Sequence, residues 1–583
     1  MNRIAKLPGI SAFAGGVLWL VLLFIRFEIY ETELIQKIFL LAVLVIVPLG
    51  LWLVATPKRS GAHSLPYRMA VIAQPIGAIA VVFSLLLEPG RLAALLAALW
   101  LIVLALIALF GLWRFLSRGL RPAEEFSIDA GLIYVAVGGV WFTMARLGAQ
   151  PLGFGDTIVL LTAVHFHFAG FAAPILAGLA GRTLGAARPA RILFRFAAIG
   201  IVAGTPLVAA GITFSPVLAL IGAIVISLGL VLLAMVVMGW IVRSSASLPA
   251  RILFATSSIS STAAMILACL YAYSIVEKKL ILDIPRMAMT HGIVNAFGFA
   301  LCGLLGWTIV KPKPRVSAPG LPFSRLSSRG FTGPDYFERV GALSISKPQP
   351  QGLVDQFAVY RREDFDPGSV DPKVRSFYEE TSRYRLLVRP HWRSGFRLGG
   401  RLAYFLGTSL GQLRLPIASE SQQDNIESRL LPLDDFVDGR EGVRGWVRTY
   451  VGTDKAMYVA AYATHSQMGT TYMNIAFPLP GGNLSSILHI APESSGSIHG
   501  GVVLSTLAAS DPGGDQGVYY VNRVIPVRLP IDETITVWSV DSEDRGATPL
   551  SDSEPVMRAR HQMWLFGINF LNLDYNIFPA LSA

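Results

Sequence analysis

The sequence is poor in charged residues and almost free of cysteine. Of its 583 residues, 15% are Asp, Glu, Lys or Arg, whereas soluble domains carry about 25%. Together with a mean hydropathy of +0.54, this shortage excludes an ordinary soluble protein and predicts that much of the chain faces lipid. The two cysteines, Cys269 and Cys302, lie in apolar segments. They do not form a disulfide framework, and we interpret them as small buried hydrophobic side chains.

Common catalytic motifs are also missing. The sequence contains no P-loop, dinucleotide-binding fingerprint, kinase motif set or zinc-protease motif. Residues 407–411 (GTSLG) match the G-x-S-x-G pattern of a nucleophile elbow, but Pro416 follows too soon for the helix that this elbow requires. We interpret the match as chance. The histidines of the C-terminal half lack the short spacings of zinc sites. They are His391, His465, His489, His499 and His561.

What the first half of the chain has instead is a series of long apolar segments. About 20 consecutive apolar residues are enough to cross a bilayer as a helix, so we predict ten membrane-spanning helices. Their predicted bounds are 7–25, 38–55, 69–87, 92–113, 130–148, 156–180, 192–213, 215–241, 252–276 and 288–310.

The basic residues of this half predict the orientation. Seventeen Lys and Arg residues lie at one set of helix ends and seven at the other. Because cytoplasmic loops are enriched in Lys and Arg, we expect both termini in the cytoplasm. The excess of basic charge belongs to loops beside a lipid bilayer, so no nucleic-acid partner is expected.

After the last apolar segment the composition changes to that of a soluble domain. We predict a transmembrane helical domain over 1–310, a Pro-rich linker over 311–330 and a cytoplasmic β-rich domain over 331–583. Short helices are expected near 336–340 and 372–384, and alternating runs from about Arg444 onward predict an antiparallel sheet or barrel. The predicted fold is therefore a polytopic α-helical membrane bundle followed by a soluble β-rich α+β domain.

The soluble domain is rich in aromatic residues. These residues predict either the core of a barrel or sandwich, or a pocket for a small apolar ligand or a lipid. They are Tyr458, Tyr462, Tyr472, Phe477, Tyr519, Tyr520, Trp538, Trp564, Phe566 and Phe570.

The sixth apolar segment carries two histidines, His165 and His167, near its middle. Ionisable groups inside a membrane are costly and mark functional sites by default. Residues two apart on a regular helix differ by about 200°, so the two rings are expected to face nearly opposite sides. Thr162 shares the side of His165. In the last segment, His291 has Asn295 one turn away and forms a second candidate.

Three interpretations of these histidines stay open. In the first, the histidines are structural groups that bond between helices. In the second, His165, His167 and His291 ligate haem or a metal. In the third, they line a proton or substrate pathway together with Asn295 and Thr162. Neither haem nor metal is the expected cofactor, because the sequence has no CxxCH motif and no second pair of central histidines.

Two motifs carry a family resemblance. The segments LTAVHFHFAGF (161–171) and MTHGIVNAFGF (289–299) resemble the YndJ family of bacterial multi-pass membrane proteins. The resemblance implies a multi-pass protein of the bacterial plasma membrane and supplies no reaction. From the intramembrane histidines and the aromatic-rich soluble domain, we expect a transport, permeation or membrane-sensing role with a ligand-binding cytoplasmic domain. The alternatives are a membrane-embedded redox or lipid-modifying enzyme that uses haem or metal, and a structural or sensory protein without turnover.

Overall fold

The computed structural model divides the chain into two compact units, Met1–Ser317 and Ala318–Ala583. Each unit is described by itself. The structure describes residues 3–25, 32–57, 61–185, 187–279, 281–314, 320–415, 424–453, 455–493, 499–507, 514–540 and 554–580.

The first unit is a helical bundle. In its described residues, ten helices are long and apolar enough to cross a membrane, which agrees with the ten predicted segments. They are α1 (Ile4–Leu22), α2 (Glu33–Leu53), α3 (Leu65–Leu85), α4 (Arg91–Arg118), α5 (Ala123–Leu147), α6 (Asp156–Thr183), α7 (Arg188–Phe214), α8 (Pro216–Ser244), α9 (Leu248–Val276) and α10 (Ile284–Val310).

The helix bounds differ most from the predicted ones at α5. This helix begins seven residues before the predicted segment 130–148 because it includes Glu124, Glu125 and Asp129. Charged residues lower the hydropathy of a sequence window, which placed the predicted start too late. In the fold these side chains are buried beside arginines of other segments.

The predicted break between α7 and α8 is present. Ser215 has an extended backbone, with φ −165° and ψ 125°, and its hydroxyl accepts a hydrogen bond from the backbone N–H of Leu218. Pro216 begins α8, at the position where its missing N–H is tolerated. The two helices then pack closely: a Cβ atom on Gly211 would lie 2.1 Å from the backbone nitrogen of Ala219.

Helices α6 and α10 are widened in the middle. After His165, α6 continues as a π-helix over Phe166–Ala172 before it returns to α-helical geometry. Helix α10 has π-helical stretches over Ala288–Gly292 and Val294–Leu301. Pro174 has no N–H to donate to the preceding turn, which favours the irregularity in α6. Such π-helical turns are frequent at functional sites.

The second unit is an antiparallel β-barrel, a more specific architecture than the predicted α+β domain. Ten strands form a closed ring, in the order β1, β2, β3, β4, β5, β6, β7, β10, β11 and β12, and β12 pairs with β1. Strands β8 and β9 extend from β6. The described strands are β1 (Tyr384–Trp392), β2 (Asp424–Pro432), β3 (Arg444–Tyr450), β4 (Ala456–Gln467), β5 (Thr470–Leu479), β6 (Gly482–Pro492), β7 (Val502–Ser505), β8 (Gly517–Asn522), β9 (Pro526–Arg528), β10 (Ile531–Ser539), β11 (Met557–Leu565) and β12 (Ile568–Pro579).

The interior of the barrel is lined by alternate residues of each strand. On β3, Trp446 and Arg448 face the interior, whereas Val447 packs in a separate cluster with residues before β1. The aromatic stretch 558–579 forms the hairpin of β11 and β12. Its turn, Phe566-Gly567, has φ values of 51° and 81°, which fits the positive-φ geometry of a two-residue hairpin.

Four described α-helices accompany the barrel: Tyr336–Arg339, α11 (Pro372–Glu379), α12 (Arg397–Leu410) and Asp435–Asp438. The GTSLG segment forms the C-terminal end of α12, and the Ser409 hydroxyl donates to the carbonyl of Leu406 in the same helix. Ser409 lies near the end of this helix, whereas a nucleophile elbow requires a helix that follows the serine. The segment is therefore not a nucleophile elbow. Residues 321–328, inside the predicted linker, pack on the barrel, where Asn483 donates to the carbonyls of Ser324 and Leu326.

Candidate functional site

His167 is fully buried where α2, α4, α5 and α6 meet. The indole N–H of Trp100 donates to its Nε2 at 3.1 Å, and its Nδ1 lies 2.8 Å from the carbonyl oxygen of Ala163. An indole N–H can only donate, so Nε2 accepts and the proton resides on Nδ1. Gly138 makes room for the ring, because a Cβ atom there would lie 2.8 Å from Nδ1. Both nitrogens of the neutral His167 ring are therefore occupied: Nε2 connects α6 with α4, and Nδ1 bonds within α6.

His291 joins α9 and α10. Its Nδ1 lies 2.9 Å from the carbonyl oxygen of Ala264, and Asn295 Nδ2 lies 3.1 Å from its Nε2. The structure therefore brings the predicted pair His291 and Asn295 into direct contact within α10. Through its bond to Ala264, His291 also connects α10 with α9.

His165 differs from the other two histidines because its side chain is exposed. Its Nδ1 bonds to the carbonyl oxygen of Leu161, one turn earlier, at 2.7 Å. Thr162 also bonds within the helix, to the carbonyl of Ile158 at 2.8 Å. His165 and His291 lie close enough to interact electrostatically, whereas His167 lies in the separate contact with Trp100.

These contacts bear on the metal interpretation. Among the described residues, no three His, Cys, Asp or Glu side chains are grouped so that they could hold one metal ion. A metal on His167 would have to displace either Trp100 or Ala163 from the ring. Metal or haem ligation by His165, His167 and His291 thus stays a prediction from the sequence.

The helical unit also contains a buried ion network that sequence reasoning interpreted as loop charge. Arg114 bonds to Asp129 at 2.5 Å and to Glu125 at 2.8 Å, and all three side chains are at most 1% exposed. Arg118 and Arg182 also bond to Glu125. Every arginine of this network contacts a carboxylate, which lowers the cost of burying the charges.

The barrel encloses a cavity of about 110 Å³. Its wall is mostly apolar, with Leu386, Met473 and Leu504 from the strands and Phe377 from α11. Four tyrosines, Arg448, Glu533 and His561 supply the polar groups. An apolar cavity with a few convergent polar side chains is the usual form of a small-molecule site.

Arg448 carries a positive charge inside this cavity and is 2% exposed. Its guanidinium lies 5.1 Å from the ring centres of Trp446 and Tyr458 and 5.3 Å from that of Tyr575. Nη1 donates to the Tyr458 hydroxyl at 3.2 Å. Among the described residues, Nε and Nη2 of Arg448 have no hydrogen-bond partner.

Glu533 is the acidic group of the cavity and already has partners. Its Oε2 lies 2.7 Å from Nε2 of His561, and Ser486 donates to its Oε1. Burial alone would raise the pKa of Glu533, but the hydrogen bond and charge of His561 and the bond from Ser486 outweigh it. They hold the pKa of Glu533 below its usual value. Burial raises the pKa of the Tyr575 phenol to about 12, so this hydroxyl keeps its proton.

The aromatic residues singled out in the sequence divide in the fold. Tyr458, Tyr462 and Phe477 line the cavity, whereas Tyr472 and Tyr519 belong to a small cluster outside it. Sequence reasoning missed Arg448, although the alternation of GWVRTYV places it on the same strand face as Trp446. A single arginine on an otherwise apolar face was the available signal. The contact of Glu533 with His561 had none, because the two residues lie 28 positions apart.

Comparison with known proteins reveals one family. The family described as "YndJ-like protein" matches residues 37–299. The "Uncharacterized membrane protein YndJ" of Bacillus subtilis (strain 168) is 30% identical over 503 residues, which cover 86% of each chain. No solved structure matches the chain. Because 503 residues are more than either unit contains, the similarity to the Bacillus protein extends into both units.

Proposed function

This chain belongs to the YndJ family of integral membrane proteins, and on that premise we propose that its barrel binds a small apolar ligand and gives the protein a membrane-sensing role. The observation that carries the proposal is the cavity inside the barrel, with apolar walls and a few polar groups. A well-packed core has few voids larger than a water molecule. A cavity of about 110 Å³ is close in size to an apolar cavity of roughly 150 Å³ that holds benzene.

Ligand binding is tested on the full-length protein in lipid nanodiscs. Hexan-1-ol, hexanoate and benzoate are titrated by calorimetry, and small molecules that copurify with the protein are identified by mass spectrometry. The variant Ala559→Phe fills the cavity, since Ala559 lines it. Gln562→Phe adds the same side chain to the opposite face of the same strand and is the matched control.

We expect at least one probe to bind the wild type and Gln562→Phe, and to lose at least tenfold in affinity for Ala559→Phe. Failure of all three probes to bind, with no copurifying molecule, would overturn the proposed function. Equal binding by both variants would place the probe outside the barrel and would also contradict the proposal.

A second candidate is proton-coupled permeation through the helical unit. The observation that favours it is the exposed imidazole of His165 within electrostatic range of His291. Proton flux into proteoliposomes, followed with an internal pH dye, tests it. His165→Gln is expected to reduce the flux, and His499→Gln, which changes an exposed histidine of the barrel unit, is expected to leave it unchanged. Equal flux through empty liposomes would eliminate this candidate.

The orientation is part of the proposal. The bias of 17 basic residues to 7 supports a plasma-membrane protein with both termini and the barrel in the cytoplasm. A fluorescent reporter that matures only in the cytoplasm, fused after Ala583, is expected to fluoresce. A dark reporter, together with an active periplasmic phosphatase at the same position, would reverse the assignment.

A further inference from the structure

Arg448 presents its two unpartnered donors in a defined geometry. Nε–H and one N–H of Nη2 lie side by side on one edge of a guanidinium plane, at the spacing of the two oxygens of a carboxylate. In Arg448 this edge has no partner among the described residues, and the side chain lines the barrel cavity. The third nitrogen, Nη1, is held by Tyr458.

Two other buried arginines of this chain show what the same edge binds. Arg182 donates from Nε and Nη2 to the two oxygens of Glu125, at 2.8 and 2.9 Å. Arg440 does the same with Asp438, at 2.7 and 3.0 Å. Arg448 is buried to a similar degree as Arg440, but its described contacts are a hydroxyl and three aromatic rings.

A buried cation without an anion is costly, because desolvation is not offset by an ion pair. Cation–π contacts offset only part of this cost. Arg118 also has unpartnered Nε and Nη2 atoms, but its charge is compensated through Nη1 by Glu125. Among the described residues, no carboxylate forms an ion pair with Arg448. Glu533, the carboxylate of the same cavity, is bonded to His561 and Ser486 instead.

We propose that the ligand of the barrel is a small apolar monocarboxylate whose two oxygens bind Nε and Nη2 of Arg448. This inference rests on the proposed ligand-binding function and adds the chemical class of the ligand. The apolar walls of the cavity contact the hydrocarbon part of the acid. Trp446 lines the same cavity, and its Nε1 is a further donor without a partner among the described residues.

Charge and volume both favour a monocarboxylate. One guanidinium balances one negative charge, and the carboxylate of Glu533 lines the same cavity, so a doubly charged phosphate would be repelled. A cavity of about 110 Å³ suits a short-chain or single-ring acid better than a long-chain lipid.

The test compares an acid with its neutral analogue on the full-length protein in nanodiscs. Hexanoate and hexan-1-ol are titrated into the wild type, Arg448→Met, Arg448→Lys and Arg429→Met. Arg429 pairs with Val447 on the neighbouring strand, and its side chain is about half exposed and bonds to Glu338 outside the barrel. It is therefore the matched control for the loss of one arginine.

The wild type and Arg429→Met are expected to bind hexanoate at least about tenfold more tightly than hexan-1-ol, because hydrogen bonds to charged groups are the strong ones. Arg448→Met is expected to lose this preference. Arg448→Lys keeps the charge but lacks the planar edge, so its preference is expected to fall between the two.

The outcomes separate the two proposals. Equal affinity of the wild type for acid and alcohol would overturn the carboxylate inference and leave the ligand-binding function intact; this comparison needs no variant. Absence of binding by hexanoate, hexan-1-ol and benzoate, with no copurifying molecule, would overturn both proposals. A preference for acid that survives in folded Arg448→Met would place the carboxylate elsewhere and contradict the assignment to Arg448.

Discussion

The ion network of the helical unit and the cavity of the barrel bury arginine in opposite ways. In the helical unit, Arg114, Arg118 and Arg182 share the carboxylates of Glu125 and Asp129. In the barrel, Arg448 is equally inaccessible to solvent but contacts aromatic rings and one hydroxyl. A network of opposite charges is self-sufficient and stabilises a helix junction. Arg448 has no carboxylate partner among the described residues, and on our proposal it is prepared for an anion that arrives from outside.

The largest effect is expected from Glu125→Gln. This change leaves three arginines around a neutral amide, and breaking a buried ion pair costs about 3–5 kcal/mol. The loss is measured as a fall in the apparent melting temperature of the detergent-solubilised protein. Asp283→Asn is the control, because Asp283 forms a largely exposed ion pair with Arg286, and such pairs contribute at most about 1 kcal/mol. Equal effects of both changes would show that the helical network is not self-sufficient.

The second prediction compares two arginines of the barrel. Arg440→Met leaves the buried carboxylate of Asp438 without its ion pair and should cost about 3–5 kcal/mol. Arg448→Met leaves no carboxylate of the described residues without an ion pair, so in ligand-free protein it should be neutral or stabilising. Hydrogen exchange of peptides from β3 and β4 measures the local stability of the barrel separately from that of the helical unit. Equal destabilisation by both variants would mean that Arg448 has an anionic partner within the protein.

A smaller effect is expected where the helical unit satisfies a buried polar group without charge. Trp100→Phe removes the donor to Nε2 of His167 and leaves a buried acceptor unpaired, which costs about 1–3 kcal/mol. The melting temperature should fall less than for Glu125→Gln. Trp141→Phe, at a half-buried tryptophan of α5, is the control. If Trp100→Phe proved harmless, the structural interpretation of His167 would lose its support and the ligand and pathway interpretations would gain.

The smallest expected effect concerns the loss of barrel stability at acidic pH. The pKa of Glu533 is held below its ordinary value of 4.5 in the folded protein, so the unfolded state binds the proton more readily. The contribution of this group is therefore present above about pH 4.5 and is lost as the pH falls through the folded pKa. Hydrogen exchange of β10 between pH 3 and 6 should show a shallower pH dependence in Glu533→Gln. An unchanged slope would indicate that the contact with His561 contributes no linkage.

The ten membrane helices could be predicted because length and hydropathy decide whether a segment crosses lipid, and both are local properties. The error at α5 has the same origin: Glu125 and Asp129 lower local hydropathy, while the arginines that compensate them come from α4 and α6. Strands β3, β4, β5, β8 and β10 followed from the alternation of their residues. Closure did not, because it depends on β12 returning to pair with β1.

The candidate sites divide along the same line. The sequence alone determined that His165, His167 and His291 lie within apolar helices, and that Arg448 shares a strand face with Trp446, because helix and strand periods are properties of the chain. Only the tertiary structure decided that Trp100, 67 positions away, occupies His167. It alone also decided that Glu533, the carboxylate that lines the same cavity as Arg448, is bonded to His561 and Ser486. Burial and partnership depend on which distant segments meet, and no local pattern specifies that.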